Sequence, residues 1–318
     1  RQRWWFVHRD ARPGAQRGLI ANNTHTTRTG PSSAPFSFPA HVSAMRWITT
    51  RFDIDLTEPR VMGIVNVTPD SFSDGGQHAS ARAAIVHAER LVAEGAQLLD
   101  IGGESTRPGS LPVPPDEELA RVLPVLREAL RLNVPLSVDT NKPEVMRAVL
   151  DLGADIVNDI WALRQGDALE VVATHPRAGV CLMHMHRDPL TMQVAPLEGD
   201  VLPVVRGFLR ERAQALRERG VARDRIVLDP GIGFGKTVAQ NFSLLARQAE
   251  LLDEGYPLLA GWSRKSSLGA VTGVQSPAER VHASVAAAVL AVERGARVLR
   301  VHDVRATVEA LKVWQAAR

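Results

Sequence analysis

The sequence predicts an α/β fold, a (β/α)8 TIM barrel with an N-terminal hairpin and a disordered N-terminal extension. Short apolar runs alternate with helical patterns from Val61 to the C-terminus, which is typical of repeated βα units. Eight such runs occur, and eight sequential parallel strands with intervening helices close into a barrel. An open, doubly wound sheet is the alternative arrangement of the same units.

The N-terminal region differs in composition from everything that follows it. In residues 1–44, six arginines stand against the single acid Asp10, and no hydrophobic periodicity is present. This composition predicts a disordered extension, with the globular domain spanning residues 45–318. An arginine-rich leader with few acids is also typical of an organelle transit peptide, and that alternative stays open. Phe52, Ile54 and Leu56 alternate with polar residues, which predicts a half-exposed strand or hairpin across residues 47–57.

Each predicted strand is an apolar run that ends in a polar or glycine residue. The runs lie at residues 61–67, 97–101, 136–138, 155–157, 180–183, 226–228, 258–260 and 298–301. The segments between them carry apolar stripes at helical spacing, which indicate helices packed on the barrel. Ser276 and Glu279 flank a proline and predict a capping box that opens a helix ending at Glu293.

Composition narrows the class of protein. A chain of 318 residues with 45% hydrophobic and 23% charged residues is an ordinary globular protein. The net charge of +3 is too small to favour a nucleic-acid partner, and no apolar run approaches the roughly 20 residues that span a bilayer. Cys181 is the single cysteine, so no internal disulfide can form. A reducing compartment, and hence a cytoplasmic location, is expected.

A polar loop follows the first barrel strand. Residues 68–76 are nearly all turn formers, and loops leaving the carboxyl ends of buried strands commonly carry the chemistry of α/β proteins. Phe72 is unusual there, since a solvated loop gains nothing from exposing a phenyl ring. The ring is expected either to fold back onto the core or to cover a ligand.

Polar residues gather at the predicted carboxyl ends of the other strands, which converge on one mouth of a barrel. They are Asn66, residues 102–108, Asp139, Asn158, Asp159, His184, His186, Asp229, residues 263–266, Arg300, His302 and Asp303. The mouth combines carboxylates with cations, which fits a substrate with a donor-rich head and an anionic tail.

Each of these residues also has a structural interpretation. Asp139 and Asp229 could be N-caps of the helices that follow them. His184 and His186 would share a face of a strand, but two histidines without a third ligand make a weak metal site. The segment from Asp229 to Lys236 is rich in glycine, but Pro230 stands where a phosphate-binding loop needs glycine. It fits better a turn whose backbone approaches a flat ligand closely.

The ordered motifs resemble those of one family. They are NVTPDSFSDGG (66–76), DIGGESTRPG (100–109), SVDT (137–140), VND (157–159), MHM (183–185), DPGIGFGK (229–236), SRKS (263–266) and RVHDV (300–304). Together they resemble dihydropteroate synthase, the folate-pathway enzyme and sulfonamide target. The resemblance extends from Val61 essentially to the C-terminus.

The resemblance implies a pterin-binding barrel that joins 6-hydroxymethyl-7,8-dihydropterin pyrophosphate to p-aminobenzoate and releases pyrophosphate. It implies catalytic roles for Asp139, Lys265 and Asn66, with Asn66 also near a Mg2+ cofactor. The implied pterin set is Asp139, Asn158, Asp229 and Lys265; the pyrophosphate set is Asn66, Thr106, Arg300 and His302; and the p-aminobenzoate set is Phe72, Arg107, Pro108 and Ser266. Arg300, His302 and Lys265 are expected to supply positive charge. The family also implies a homodimer, formed through the later helices.

Two rival functions and one departure from the family pattern accompany this resemblance. The methyltetrahydrofolate domain of corrinoid methyltransferases is another pterin-binding barrel that uses Asp and Asn side chains in the same way, but it needs no pyrophosphate site. A catalytically silent pterin-binding paralogue is the second rival, although every motif position is chemically intact. The departure is His186-Arg187, where the family more often has Gln-Gly, and it affects the shape of the loop leading to Gln193.

Overall fold

The strands lie where the apolar runs predict them. The computed structural model describes residues 45–67, 76–107 and 109–318. An antiparallel pair, β1 (Arg46–Ile48) and β2 (Asp53–Asp55), precedes eight parallel strands: β3 (Arg60–Asn66), β4 (Leu98–Gly102), β5 (Leu136–Asp139), β6 (Ile156–Asp159), β7 (Gly179–Met183), β8 (Ile226–Asp229), β9 (Leu258–Ala260) and β10 (Ala296–Val301). Strands β3 to β10 close into a barrel in which β10 pairs with β3. The predicted (β/α)8 barrel and hairpin are confirmed, and the open-sheet alternative is wrong.

Helices connect the strands and surround the barrel. They are α1 (Gly76–Ala93), α2 (Pro115–Ala129), α3 (Pro143–Leu152), α4 (Ala168–Thr174), α5 (Val201–Arg217), α6 (Val238–Ala246), α7 (Ser266–Thr272), α8 (Val281–Glu293) and α9 (Val304–Ala316). The predicted capping box at Ser276 is wrong. Pro277–Glu279 forms a separate 3-10 turn without a side-chain cap, and α8 begins after Arg280. None of the helices in the described ranges is long and apolar enough to cross a bilayer.

The hairpin closes the amino-terminal end of the barrel. Trp47, Ile54 and Leu56 pack against inward-facing apolar side chains near the start of the barrel strands: Met62, Leu98, Ile156, Cys181, Val227, Leu259 and Val298. Trp47 is fully buried, and its Nε1 donates to the carbonyl oxygen of Arg225 at 3.0 Å. This end of the barrel interior is therefore a closed apolar core, which leaves the opposite end for chemistry.

An ion pair fastens the hairpin turn to the barrel. Arg51 donates from its backbone N–H and from its guanidinium to the carboxylate of Asp155, which is fully buried. The same carboxylate accepts from the backbone N–H of Leu136 at 2.9 Å. Asp155 thus joins the hairpin to the first residue of β5, and the buried charge is paired as burial requires.

Three predicted features lie outside the described residues. They are the extension 1–44, the loop 68–75 with Phe72, and Pro108. The disordered extension, the domain boundary at residue 45 and the roles of Phe72 and Pro108 therefore stay predictions.

Trp47→Ala tests the role of the hairpin as the floor of the barrel. Deleting a fully buried indole should lower the free energy of unfolding by about 3–5 kcal/mol, because it removes apolar burial and leaves a cavity. Urea denaturation followed by far-UV circular dichroism measures this change. Trp314→Ala, at a half-buried residue near the end of α9, is the control and should cost less than half as much. Equal losses for the two variants would contradict the assignment.

Candidate active site

The register of the parallel strands aligns polar residues in one row at the carboxyl end of the barrel. Asn66 pairs with Gly102, Gly102 with Asp139, and Asp139 with Asn158. A Cβ atom on Gly102 would lie 3.6 Å from the Cβ of Asp139 and 3.9 Å from the Oδ1 of Asn66. The missing side chain therefore leaves space between these two polar groups. Asp229 ends β8 at the same level as Met183 on β7.

A single guanidinium joins two carboxylates inside this mouth. Arg300 donates from Nε to the Oδ2 of Asp100 at 2.6 Å and from Nη2 to the Oδ2 of Asp139 at 2.8 Å. Asn158 donates from Nδ2 to the same Oδ2 of Asp100 at 3.1 Å. Burial raises the pKa of Asp139 to about 7, while Arg300 opposes that rise and the nearby carboxylate of Asp100 adds to it. Asp139 therefore holds Arg300 and is not a helix cap; the residue before α3 is Lys142.

Asp100 is the main site residue that the sequence reasoning missed. Its side chain is fully buried, and its Oδ1 has no hydrogen-bond partner within the described part of the chain. The signal was present, since an acid in the middle of an apolar run is unusual for a buried strand. Asp100 lies one layer below Asp139 and orients both Arg300 and Asn158.

Asp229 is held by the turn that follows it. Its Oδ1 accepts from the backbone N–H of Gly231 at 2.7 Å, and burial raises its pKa. It is not the cap of α6, because Thr237 occupies that position and forms a capping box with Gln240.

Lys236 faces the protein interior. Its Nζ lies within hydrogen-bond distance of the Nδ1 and carbonyl oxygen of His184 and the carbonyl oxygens of Gly231 and Phe234, at 2.8 to 3.3 Å. These contacts brace the glycine-rich turn from within, which agrees with the rejection of a phosphate-binding loop. A Cβ on Gly231 would meet the carbonyl oxygen of His184 at 1.9 Å, so this glycine permits close packing against protein. The expected approach of the turn to a flat ligand is therefore not the role of Gly231.

Lys265 lies over an aromatic ring beside Asp229. Its Nζ is 4.2 Å from the centroid of the Phe234 ring, and burial lowers its pKa to about 8. Phe234 belongs to a small apolar cluster that the sequence reasoning also missed, with Ile160, Met183, Met185 and Met192. The mouth thus has an apolar wall next to its carboxylates, which suits a flat heterocycle.

The neighbouring part of the mouth, at the ends of β10 and β3, contains His302 and Asn66. Both line a cavity of about 430 Å3, together with His87 and Arg90. The Nδ1 of His302 lies 3.0 Å from the hydroxyl oxygen of Ser263. When that hydroxyl donates to Nδ1, the proton of the neutral ring lies on Nε2. Burial, with Arg264 and Arg300 nearby, lowers the pKa of His302 to about 3. The expectation that His302 supplies positive charge is therefore wrong in this structure, where the neutral ring offers an N–H donor.

The remaining predicted residues lie at the rim. Thr106 is half-buried and Arg107 is exposed, both in the loop after β4. Arg107 is one of the cations that lower the pKa of His302, which places the two residues on the same side of the mouth. Ser266 is exposed at the first turn of α7, directly after Lys265.

The loop after β7 accommodates the departure from the family pattern. Arg187 has a φ of 63°, in the left-handed region that favours glycine. Gln193 nevertheless reaches the glycine-rich turn, where its Nε2 donates to the carbonyl oxygen of Gly233 at 2.8 Å. With His186-Arg187 in place, the loop after β7 therefore still contacts the turn that follows Asp229.

Histidines do not form a metal centre in the described ranges. These residues contain no group of three or more His, Cys, Asp or Glu side chains that could hold a metal ion. Lys236 lies 3.0 Å from the Nδ1 of buried His184, and the ring edge packs on Phe208. The residue that could contribute to a metal site is Asn66, through one amide oxygen.

Comparisons with known proteins agree with the site. Residues 62–302 match the family described as Pterin binding enzyme. The chain is 51% identical to the dihydropteroate synthase of Neisseria meningitidis serogroup B over 275 residues, which cover 85% of this chain and 96% of the relative. It is 49% identical to that of Escherichia coli K12 over 264 residues, covering 83% and 93%.

Solved structures have the same fold. A Xanthomonas albilineans dihydropteroate synthase with 4-aminobenzoic acid matches with a TM-score of 0.82 and 52% identity, covering 86% of this chain and 98% of that one. A Burkholderia cenocepacia dihydropteroate synthase complexed with 7,8-dihydropteroate gives 0.78 and 53%, covering 86% and 96%. A Yersinia pestis dihydropteroate synthase with a sulfonamide drug complex gives 0.81 and 46%, covering 86% and 99%.

The raised pKa of Asp139 predicts a pH dependence of stability. The folded protein binds a proton at Asp139 between pH 4 and 7 that the unfolded chain releases, so this group's contribution to stability is lost as the pH rises towards 7. Asp139→Asn cannot titrate. The free energy of unfolding of the variant minus that of wild type should therefore rise from pH 5 to 7 by up to about 1.4 kcal/mol per unit, then level off. Urea denaturation at four pH values measures it. A difference that does not change with pH would contradict the shift.

Proposed function

The chain belongs to the dihydropteroate synthase family of pterin-binding enzymes, and from this membership we propose which of its residues hold each substrate. The reaction is a transferase step of folate biosynthesis. It condenses 6-hydroxymethyl-7,8-dihydropterin pyrophosphate with p-aminobenzoate to give 7,8-dihydropteroate and pyrophosphate.

The pterin ring is proposed to bind among Asp139, Asn158, Asp229 and Lys265. Its edge of N–H donors and ring nitrogens pairs with carboxylate and amide groups in a planar arrangement. Asp139 and Asp229 have buried carboxylates at the ends of β5 and β8, and Asn158, which carries an amide, pairs with Asp139 across β5 and β6. The apolar wall around Phe234 covers the face of the ring, and Lys265 lies beside it.

The pyrophosphate is proposed to bind on the side of Asn66, Thr106, Arg300 and His302. Arg300 supplies the formal charge, since the guanidinium stays protonated, and His302 supplies the N–H at Nε2. Because Arg300 also bonds Asp139, the anion and the pterin are neighbours across one side chain. Preorganised donors at the place where negative charge develops lower the barrier to departure.

The p-aminobenzoate is proposed to bind at the rim, near Arg107, Pro108, Ser266 and Phe72. Arg107 and Ser266 are exposed there, while Phe72 and Pro108 lie outside the described residues. The closing of the loop 68–76 over bound pyrophosphate would exclude water that could capture the reactive methylene. A sulfonamide is proposed to occupy the same subsite.

Magnesium is proposed as the cofactor. Asn66 contributes one hard oxygen donor to the anion side, and Mg2+ is commonly held by one or two protein oxygens together with substrate phosphates and water. The donor set therefore fits an ion that is shared with the pyrophosphate. When bound, the ion would neutralise charge on the departing group.

The site chemistry needs no strong base. The arylamine nucleophile is already neutral near pH 7, and the electron-rich dihydropterin can share positive charge at its methylene as pyrophosphate departs. We propose that the carboxylate of Asp139 stabilises that cation. The bond from the methylene to the pyrophosphate oxygen breaks, the bond to the arylamine nitrogen forms, and the nitrogen loses one proton.

Assembly and location are proposals from the family and the composition. A homodimer through the later helices is supported by exposed apolar residues on three of them, Val271 on α7, Leu290 on α8 and Val313 on α9. The mass of the chain in solution tests it. A cytoplasmic location is supported by the single reduced cysteine, Cys181, which is buried.

The observation that carries the residue assignment is the cluster in which Arg300 bonds Asp100 and Asp139, and Asn158 bonds Asp100. Release of pyrophosphate should require both substrates and Mg2+, and should stop when the ion is chelated. Asp229→Asn should lower kcat/KM roughly ten- to hundredfold, because a charged hydrogen bond to the pterin contributes about 1.5–3 kcal/mol. A coupled pyrophosphate assay with chromatography of 7,8-dihydropteroate measures both.

Asp116→Asn is the matched control for this experiment. Asp116 is exposed in the first turn of α2, and the variant should keep wild-type turnover. Pterin binding without pyrophosphate release in the wild type would favour the silent paralogue. Full activity of Asp229→Asn would contradict the pterin assignment.

A further inference from the structure

The loop after β4 is fastened at its base. Residues 103–114, which we call the substrate loop, join β4 to α2 and include Thr106 and Arg107. The carbonyl oxygen of Gly103 accepts from the Nη1 of Arg121 at 2.7 Å. A Cβ on Gly103 would lie 2.7 Å from the Cγ2 of Val122, so the backbone lies directly on α2. The first residue of this substrate loop therefore has a fixed place.

One carboxylate holds the two ends of the substrate loop together. The Oε2 of Glu104 accepts from the backbone N–H of Val113 at 2.7 Å and from the Nζ of Lys142 at 2.6 Å. Within the arc, the hydroxyl of Ser110 lies 2.9 Å from that of Ser105. The loop thus closes on itself, and its outer residues extend from a base that Glu104 defines.

Lys142 joins this base to the barrel. Its Nζ bonds Glu104 and also Glu118 of α2, and the three side chains have exposed fractions of 13%, 11% and 0%. Two carboxylates surround one ammonium, and burial raises the pKa of Glu118. Removing the ammonium would leave two neighbouring carboxylates without a counter-ion, so the loop base depends on Lys142.

The segment that carries Lys142 also carries a pterin residue. Lys142 follows Asp139 by three residues, at the start of α3. Its ammonium is bonded to Glu104 and Glu118. Through these bonds Lys142 can position the substrate loop without contacting the mouth itself. We propose that Lys142 is a positioning residue that fixes the substrate loop, and through it Arg107, for p-aminobenzoate. The inference rests on the proposed function.

Lys142→Met separates positioning from stability. Misplacement of the loop should raise the KM for p-aminobenzoate about tenfold, because small displacements of positioning groups have large kinetic effects. The dissociation constant for the pterin substrate, measured by calorimetry without p-aminobenzoate, should change less than twofold. Lys142→Arg keeps a cation between the carboxylates and should restore the KM to within about threefold of wild type.

Lys312→Met is the control, since Lys312 is an exposed lysine on α9 and its loss should leave both constants unchanged. If Lys142→Met does not fold, Glu104→Gln weakens the same anchor and is measured in the same way. An unchanged KM with a smaller active fraction would overturn the proposal, because it indicates stability alone. Equal losses for both substrates would also overturn it. The wild type is assayed first, so that absent turnover marks failure of the proposed function itself.

Discussion

The active site depends on one ionic cluster, in which the guanidinium of Arg300 bonds the carboxylates of Asp100 and Asp139. In the sequence, Arg300 lies 200 residues from Asp100 and 161 residues from Asp139. The side chains meet because β10 closes the barrel onto β3. Burying two carboxylates around one guanidinium is costly unless every partner is placed correctly. The arrangement therefore makes the geometry of the mouth a consequence of barrel closure. It also places the cation for the leaving group next to the carboxylate for the heterocycle.

The amino-terminal end of the barrel interior is apolar, and the carboxyl end is polar. The hairpin with Trp47 fills the amino-terminal end with apolar side chains, and this supports a polar layer at the other end without a channel through the barrel. At the carboxyl end, two lysines hold the elements that are proposed to contact substrates. Lys236 braces the glycine-rich turn that follows Asp229, and Lys142 anchors the loop that carries Arg107. The residues proposed to touch substrate are thus supported by lysines that are not proposed to touch it.

The fold could be predicted because the alternation of apolar runs and helical stripes is a local property of the sequence. Barrel topology then placed Asp139 and Arg300 at one mouth. The direct bond between them could not be predicted, since it depends on side-chain orientation. Asp100 was missed because it lies inside a strand, one layer below the rim. The neutral state of His302 could not be predicted, because burial and neighbouring cations lower its pKa. The partners of Lys142 were likewise invisible, because they come from separate elements.

A crystal structure with a dihydropterin pyrophosphate analogue and Mg2+ tests the site assignment most directly. We expect the N–H edge of the pterin within hydrogen-bond distance of Asp139, Asn158 and Asp229, with the pyrophosphate on Arg300 and His302. A pyrophosphate bound instead to the backbone of the glycine-rich turn, residues 230–236, with the pterin away from the three polar side chains, would contradict it.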